Sequence, residues 1–313
     1  MKMYNIGMFG CGYIAGIFTK AIDALDNRVV KYSVASRDSA HAKKFMKEFG
    51  FLKYHETYEL MLLDEKIDFV YIATPTGVHY ECIKMCLNAG KHVIVEKPIT
   101  CNSAQLKEVL EIAENRHLIL FDAIWSLYTP MFNKLIEIIK DEAIGKKINL
   151  FASFGYPGIK SERLMESNGG GALLDKGIYC IAFANKIMQG NGRILKVKNI
   201  RKQVDIDNKF YIGYKNGKAI CHSSILHRTS YLLTIYGRKG IILSRKFWNG
   251  NSFIVLKFPF NLKRYKFTYK ANAYECELRE MIKLLDNGKI ESAKLMHKES
   301  IKNMMLIDAV IKY

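Results

Sequence analysis

The sequence has no apolar run long enough to cross a bilayer, for which about 20 consecutive apolar residues are needed, so no membrane segment is expected. It has no Cys-x-x-Cys pair, and its seven cysteines are an odd number. Cys82 and Cys86, four apart on an expected helix, read as packing residues rather than metal ligands. Met1-Lys2-Met3 leads straight into a first strand, so removal of a signal peptide would take part of the fold with it. Both observations point to the cytoplasm. Acidic residues are scarce, 30 Asp and Glu against 48 Lys and Arg, for a formal net charge of +18. Yet there is no basic tail, no Arg-rich block and no basic strip interleaved with aromatics, which speaks against nucleic acid as partner. The excess reads as a lysine-rich surface that also attracts anionic cofactors. Repeats and low-complexity segments are lacking too. What remains is a 313-residue chain with the 49% hydrophobic and 25% charged content of a soluble globular protein, long enough for two domains.

The most informative stretch lies near the start. The run Tyr4–Phe9 reads as a buried strand, and Ile14, Ile17, Phe18, Ala21, Ile22 and Leu25 recur at the spacing of one helix face. Between them stands Gly10-Cys11-Gly12-Tyr13-Ile14-Ala15, and strand, Gly-x-Gly-x-x-Ala turn and helix together make a dinucleotide-binding fingerprint. Gly10 permits the tight turn, Gly12 has no side chain to obstruct a pyrophosphate, and Ala15 lets the helix lie close on the strand. The helix N-terminus offers unpaired N–H groups and partial positive charge to the phosphates.

Strand-like and helix-like segments then alternate. Strand Val29–Ala35, helix Ser39–Phe49 stopped by Gly50, a short strand near Phe51–Tyr54 and a helix around Tyr58–Leu63 come first. Strand Ile67–Ala73, helix Val78–Ala89, strand His92–Glu96, helix Ser103–Asn115 and strand Leu118–Phe121 follow. Residues 1–122 are thus expected to form a Rossmann-type, doubly wound parallel sheet. Beyond a helix from Pro130 to Lys140, strands dominate: Lys147–Phe154, Ile194–Ile200, Phe210–Tyr214, Ala219–Leu226, Tyr231–Tyr236 and Phe253–Phe258. Helices are expected at Ala172–Met188, Tyr274–Asp286 and Glu299–Ile311, with a hairpin turn at Asn216-Gly217 and a second candidate at Asn249-Gly250. Residues 123–313 therefore read as an α+β domain on a large, mostly antiparallel sheet, its last helix a candidate to pack back on the first domain. Apolar residues on both faces of that sheet, as in Phe210-Tyr211-Ile212 and Tyr231-Leu232-Leu233, predict a homo-oligomer.

Three places carry chemistry. Ser36-Arg37 occupies the tip of the second strand, where a carboxylate accepts the adenosine 2′-hydroxyl and an arginine favours a 2′-phosphate. Asp38 fits either the ribose or the cap of the following helix; the cap is preferred, which favours NADP(H) over NAD(H). Glu96-Lys97-Pro98 ends a strand at the carboxyl edge of the sheet, where such folds bind ligands. A lysine there polarises a substrate hydroxyl or carbonyl, although the tripeptide alone also reads as a surface lysine before a turn. Gly169-Gly170-Gly171 leads into a helix on which Asp175 and Tyr179 share a face. The glycines allow close backbone approach to a ligand, and the carboxylate and phenol suit binding and protonating a hydroxyl-bearing substrate. His222 and His227 lie near a strand end with no carboxylate cluster around them, so no metal is expected.

These motifs in this order resemble the Gfo/Idh/MocA oxidoreductases, the family of glucose–fructose oxidoreductase and inositol dehydrogenase, over essentially the full length. Ala73-Thr74-Pro75 followed by His79-Tyr80-Glu81, and Asp122-Ala123-Ile124-Trp125, strengthen the match. The resemblance implies a Rossmann domain joined to an open-faced sheet domain, with the nicotinamide in the cleft between them. It also implies catalysis by Lys97, Asp175 and Tyr179, a Lys97–Pro98 bond that is a candidate for cis, and a substrate pocket including Trp125 and Gly170. Cofactor contacts are expected from Gly10, Gly12, Tyr13, Ile14, Ser36, Arg37, Thr74, Pro75, His79, Glu96 and Lys97. Tyr179 in place of the histidine of many members is similar to the glucose–fructose oxidoreductase and dihydrodiol dehydrogenase branch. Leu127 stands where that branch commonly has arginine, which disfavours an anionic substrate. Lys176 is charged where the family is often apolar; it is expected to face away, the other outcome being neutralisation of Asp175. The expected activity is hydride transfer between NAD(P)(H) and a secondary alcohol or carbonyl of a sugar or cyclic polyol. Tyr179 would donate the proton, and Lys97 would hold down the phenol's pKa. The alternative is a non-catalytic dinucleotide-binding sensor on the same scaffold.

Overall fold

A computed structural model describes residues 2–165 and 169–313. The chain divides into two compact units, Met1–Trp125 with Tyr269–His297, and Ser126–Thr268 with Lys298–Tyr313.

In the first unit, β1 (Tyr4–Phe9) turns into α1 (Tyr13–Asp23), and β2 (Val29–Ala35), α2 (Ser39–Phe49), β3 (Lys53–His55) and α3 (Tyr58–Leu62) follow. β4 (Phe69–Ile72), α4 (His79–Asn88), β5 (His92–Glu96), α5 (Ser103–Asn115) and β6 (Leu120–Ala123) complete the alternation. All six strands pair in parallel, in the order β3-β2-β1-β4-β5-β6, the doubly wound arrangement whose carboxyl edge holds dinucleotides. Every residue of β4 is buried, as expected of a parallel strand covered on both faces, and this is why it reads as an unbroken apolar run. Phe18 of α1 stacks on Tyr71 of β4, ring centroids 3.6 Å apart. That contact fixes the angle of α1 on the sheet.

In the second unit, α6 (Pro130–Lys140) precedes β7 (Ile148–Gly155), and α7 (Ile178–Met188) leads to the run of strands β8 (Arg193–Arg201), β9 (Asp205–Tyr214) and β10 (Gly217–Ser224). β11 (Leu232–Gly237), β12 (Gly240–Arg245), β13 (Ser252–Lys257) and β14 (Asn261–Lys266) complete an eight-stranded sheet in the order β14-β13-β12-β11-β7-β10-β9-β8. All its pairs are antiparallel except β7 with β10. β9 shows why the sheet has one covered face: Ile206, Asn208, Phe210 and Ile212 are buried, while Asp207, Lys209 and Tyr211 between them are only half-buried. α7, buried along most of its length, packs on β7 and β10.

Two helices end the chain. α8 (Tyr274–Asn287) belongs to the first unit and α9 (His297–Lys312), save its first residue, to the second. Within the first unit α8 joins the dinucleotide-binding fold. It packs against α1, with Asn272 Nδ2 donating to Ile17 O, Arg279 to Ala24 O, and Arg28 paired with both oxygens of Asp286.

Two strands had no signal strong enough to predict them. β12 follows a two-residue turn, Arg238-Lys239, that lacks the Asn or Gly of a typical hairpin. β14 is a mostly exposed edge strand carrying Lys263, Arg264 and Lys266, and such charges keep edges from pairing with other chains. The expected β9–β10 hairpin forms one residue earlier, its loop being Lys215-Asn216, with Tyr214 opposite Gly217. Asn249-Gly250 lies in a longer β12–β13 connection containing a short helical turn, Phe247–Asn249. Among the described residues no helix is long and apolar enough to cross a membrane.

Candidate active site

The carboxyl edge of the parallel sheet gathers most of the cofactor candidates. Gly10 has φ +91°, a conformation that favours glycine, and its N–H donates to Ala35 O at 3.0 Å. A Cβ there would lie 2.9 Å from Ala73 O, so the turn is tight against the end of β4 as well as β2. Gly12 is the N-cap of α1, offers no side-chain cap, and a Cβ on it would meet nothing within 4 Å. The open approach and uncapped N–H groups fit a pyrophosphate. Ala15 is fully buried, Tyr13 is exposed and Ile14 is half-buried.

At the tip of β2, Arg37 is exposed and Ser36 half-buried. Asp38 caps α2: its Oδ1 accepts from the N–H of Ala40 at 2.9 Å and of His41 at 3.2 Å. Its carboxylate is therefore engaged within the chain. Behind Arg37 stands Tyr58, stacked on Phe9; burial pushes its phenol up to about 12, partly opposed by Arg37.

Glu96, Lys97 and Pro98 follow β5, and the Lys97–Pro98 peptide bond is cis, as the resemblance implied. Lys97 is half-buried. Glu96 is buried, accepts from the Tyr71 hydroxyl at 2.6 Å and from the Lys97 N–H at 3.2 Å, and has its pKa raised chiefly by burial. A side chain so engaged orients the Lys97 backbone. His79 is likewise buried; Nδ1 lies 2.9 Å from Pro98 O and Nε2 2.9 Å from Thr74 O. Burial, opposed by the two carbonyls, lowers its pKa, and a neutral ring donates to one of them. His79 thus braces Thr74-Pro75 against Pro98. Trp125, assigned to a substrate pocket from sequence, is 6% exposed and stacked on Tyr274 at 5.2 Å.

In the second unit, Leu173–Gly177 forms a π-helical turn before α7, a local widening frequent at functional sites. The glycine run packs closely against its neighbours. A Cβ on Gly170 would fall 2.1 Å from Leu164 O, and one on Gly171 2.2 Å from Asp205 Oδ1. Asp205 accepts from the Leu173 N–H at 2.7 Å and so anchors the first turn. Asp175 is 8% exposed, and Lys176 is fully buried with Nζ 3.1 Å from Asp175 Oδ2 and 4.1 Å from the centre of the Tyr156 ring. Lys176 therefore does not face away: it neutralises Asp175. Tyr179 is 4% exposed and meets Phe154 edge-to-face at 5.7 Å, and Phe154 stacks on Trp248 at 3.6 Å. Sequence reasoning missed Tyr156, Trp248 and Asp205; one of only two tryptophans was a signal for the aromatic wall, but the others lie 17 residues from the nearer end of the helical stretch Leu173–Met188.

Residues 4–123 match the oxidoreductase family with an NAD-binding Rossmann fold, and residues 132–243 match the GFO/IDH/MocA C-terminal domain. The chain belongs to the Gfo/Idh/MocA oxidoreductase family. Among its relatives is the trans-1,2-dihydrobenzene-1,2-diol dehydrogenase of Xenopus laevis, 33% identical over 258 residues covering 80% of this chain and 78% of that protein. The human enzyme of the same name is 30% identical over 246 residues, 75% and 72% of the two chains. A 3-ketoreductase from Actinomadura kijaniata, solved with NADP and TDP-benzene, shares the fold with a TM-score of 0.90 at 23% identity, covering 99% of this chain and 98% of that one. A levoglucosan dehydrogenase solved with NADH and levoglucosan gives 0.88 at 18% identity, covering 99% and 97%. This family member is thus an NAD(P)-binding oxidoreductase. The dihydrodiol dehydrogenase relatives agree with the branch that Tyr179 suggested.

The structure also revises the surroundings of His222 and His227. Asp207 Oδ1 lies 3.0 Å from His222 Nε2 and 3.7 Å from His227 Nε2, brought there by the β9–β10 pairing. A carboxylate does stand beside these histidines.

Proposed function

We propose that the protein catalyses reversible hydride transfer between NADP(H), in preference to NAD(H), and a secondary alcohol or carbonyl on a sugar or cyclic polyol. The observation that carries this reading is the buried grouping at the head of α7, where Asp175 paired with Lys176 precedes Tyr179 by one turn. The nicotinamide, when bound, supplies or takes the hydride. The rest is proton management and orientation by this chain. Tyr179 Oη gives a proton to the alkoxide oxygen formed on reduction and takes it back on oxidation. Lys97 polarises the same oxygen, and Asp175 accepts a hydrogen bond from a neighbouring substrate hydroxyl. The pyrophosphate would lie on the uncapped N-terminus of α1 past Gly12, and Arg37 would meet a 2′-phosphate. Relatives named for a cyclic diol and for levoglucosan support a ring-borne hydroxyl as the reacting group.

The test is a panel of sugars, polyols and cyclic diols with each of the four nicotinamide cofactors, read as nicotinamide absorbance. Turnover of at least one ring alcohol or ketone is expected. Tight NADPH binding with no turnover of any alcohol or carbonyl would overturn the catalytic reading in favour of a dinucleotide sensor.

A further inference from the structure

We propose that Asp207, His222 and His227 form a binding site for a divalent transition-metal ion of the zinc class. The three come from separate points of the second unit: Asp207 from β9, His222 from β10 and His227 from the turn after β10. In the ladder Ser224 stands opposite Asp207 and His222 opposite Lys209, so Asp207 and His222 are diagonal neighbours on one face of the sheet. The turn that carries His227 is tied down. Ser224 Oγ accepts from the N–H of Leu226 at 3.2 Å and of His227 at 3.3 Å, and the Thr229 N–H donates to Gly155 O at 2.9 Å. Rigid backbone thus delivers all three side chains to one place.

One ligand atom from each residue lies within 4.8 Å of the other two. An ion bound at roughly 2.0–2.1 Å by tetrahedrally disposed ligands holds them about 3.3 Å apart. The separations from Asp207 Oδ1, 3.0 Å to His222 Nε2 and 3.7 Å to His227 Nε2, bracket that distance. Two imidazoles and one carboxylate are a borderline donor set that suits zinc and its neighbours in the first transition row. Three protein ligands leave a fourth position for water. The side chains of Asp207 and His222 are 15% and 20% exposed and that of His227 is 50% exposed, so the ion has a path from solvent past His227.

Electrostatics sharpen the prediction. A chain of net charge +18, with Lys209 facing His222 across the ladder, does not attract cations by its overall field. Affinity must come from directed lone pairs, so magnesium and calcium, which require several oxygen ligands, are not retained. Without a metal the same geometry is a carboxylate accepting from imidazole N–H groups, and the two cases differ in what the full chain binds.

The experiment uses the full-length protein stripped with a chelator and titrated with Zn²⁺ alone by calorimetry, with Co²⁺ absorption as a second readout of coordination. One equivalent of Zn²⁺ should bind and raise the thermal transition, while Mg²⁺ should do neither. Asp207→Asn and His222→Ala should each weaken binding by about 100-fold or more, since loss of even an outer-shell partner costs 10–100-fold. His41→Ala, at an exposed position on α2, should bind as the parent does. His227→Gln, at the most open ligand, keeps the test readable if a more buried variant fails to fold. No Zn²⁺ uptake by the parent, or equal uptake by the parent and the folded ligand variants, would overturn the proposal.

Discussion

The Tyr71 hydroxyl donates to Glu96 Oε1 across 2.6 Å and so ties β4 to the residue immediately before Lys97. Both groups are buried, and burial raises the pKa of each. Tyr71→Phe would keep the ring stacked on Phe18 while taking one donor from a buried carboxyl. The expected cost is about 1–3 kcal/mol, that of leaving a buried polar group short of a partner. Urea unfolding checks it: the midpoint should fall with little change in slope. An unmoved midpoint would show that the bond contributes nothing net.

Glu277 on α8 makes a pH prediction. It is fully buried, and among the described residues neither carboxyl oxygen meets a hydrogen-bond partner. Burial, and then the charges of Glu96 and Asp122, raise its pKa well above the usual range. The folded state therefore holds a proton that the unfolded state releases at about pH 4.3. Stability from this group is fully present below that value and is lost as pH rises toward the folded pKa, because the folded state binds more protons there. Glu277→Gln cannot ionise, so its stability should fall less steeply between pH 5 and pH 9. Parallel urea midpoints for parent and variant across that range would be the contrary result.

Legibility followed locality. The fingerprint turn, the Asp38 cap and the carboxyl edge at Glu96-Lys97-Pro98 depend on residues within a few positions of one another, and each stands where the sequence put it. Asp38 illustrates why: Ser, Thr, Asn or Asp before a helix has a local partner in the helix's own N–H groups. The failures are long-range. The neighbours that crowd Gly170 and Gly171, Leu164 and Asp205, arrive through tertiary packing and could not be read from the glycine run itself. Lys176 was expected outside because a lysine is rarely buried, and its pairing with Asp175 and the Tyr156 ring, which helps make burial tolerable, comes from the folded chain. Asp207 reaches the two histidines through strand pairing, which spacing along the chain does not reveal.

The proposed preference for NADP(H) rests on Arg37 and Asp38. With the Asp38 carboxylate engaged at the start of α2, the exposed guanidinium of Arg37 is the group left to read the adenosine ribose. NADPH should bind at least ~10-fold more tightly than NADH, about 1.4 kcal/mol, and Arg37→Ala should remove most of that difference. Fluorescence titration of both cofactors measures it. Equal affinities in the parent would return Asp38 to the ribose.

The less covered face of the eight-stranded sheet predicts self-association. Tyr236 opposite Ile241, and Leu243 opposite Ile254, place apolar side chains on one face, and Tyr236 is 48% exposed. A second copy covering such a face removes it from water, with burial worth roughly 25 cal/mol per Å². Light scattering at tens of micromolar should show a dimer or larger, and Ile254→Glu should lower the mass. A monomeric parent would refute this.

The last prediction concerns the head of α7. Tyr179→Phe deletes one hydroxyl and keeps the ring that meets Phe154 edge-to-face, so the fold and NADPH binding should persist. Turnover should drop about 100-fold or more, the usual worth of a general acid–base group. Asp175→Asn is a different kind of change, because it strips the counter-charge from the buried Lys176 ammonium 3.1 Å away. Breaking a buried pair from one side typically costs about 3–5 kcal/mol, whereas replacing both partners can be nearly neutral. Asp175→Asn should therefore lose stability as well as activity, and Asp175→Asn with Lys176→Met should regain much of the stability but none of the turnover. That pattern separates the two roles of Asp175, holding a substrate hydroxyl and balancing Lys176, in one thermodynamic cycle. If Tyr179→Phe instead turns over at the parent rate, the phenol is not the proton donor, and the proton must come from Lys97 or from water.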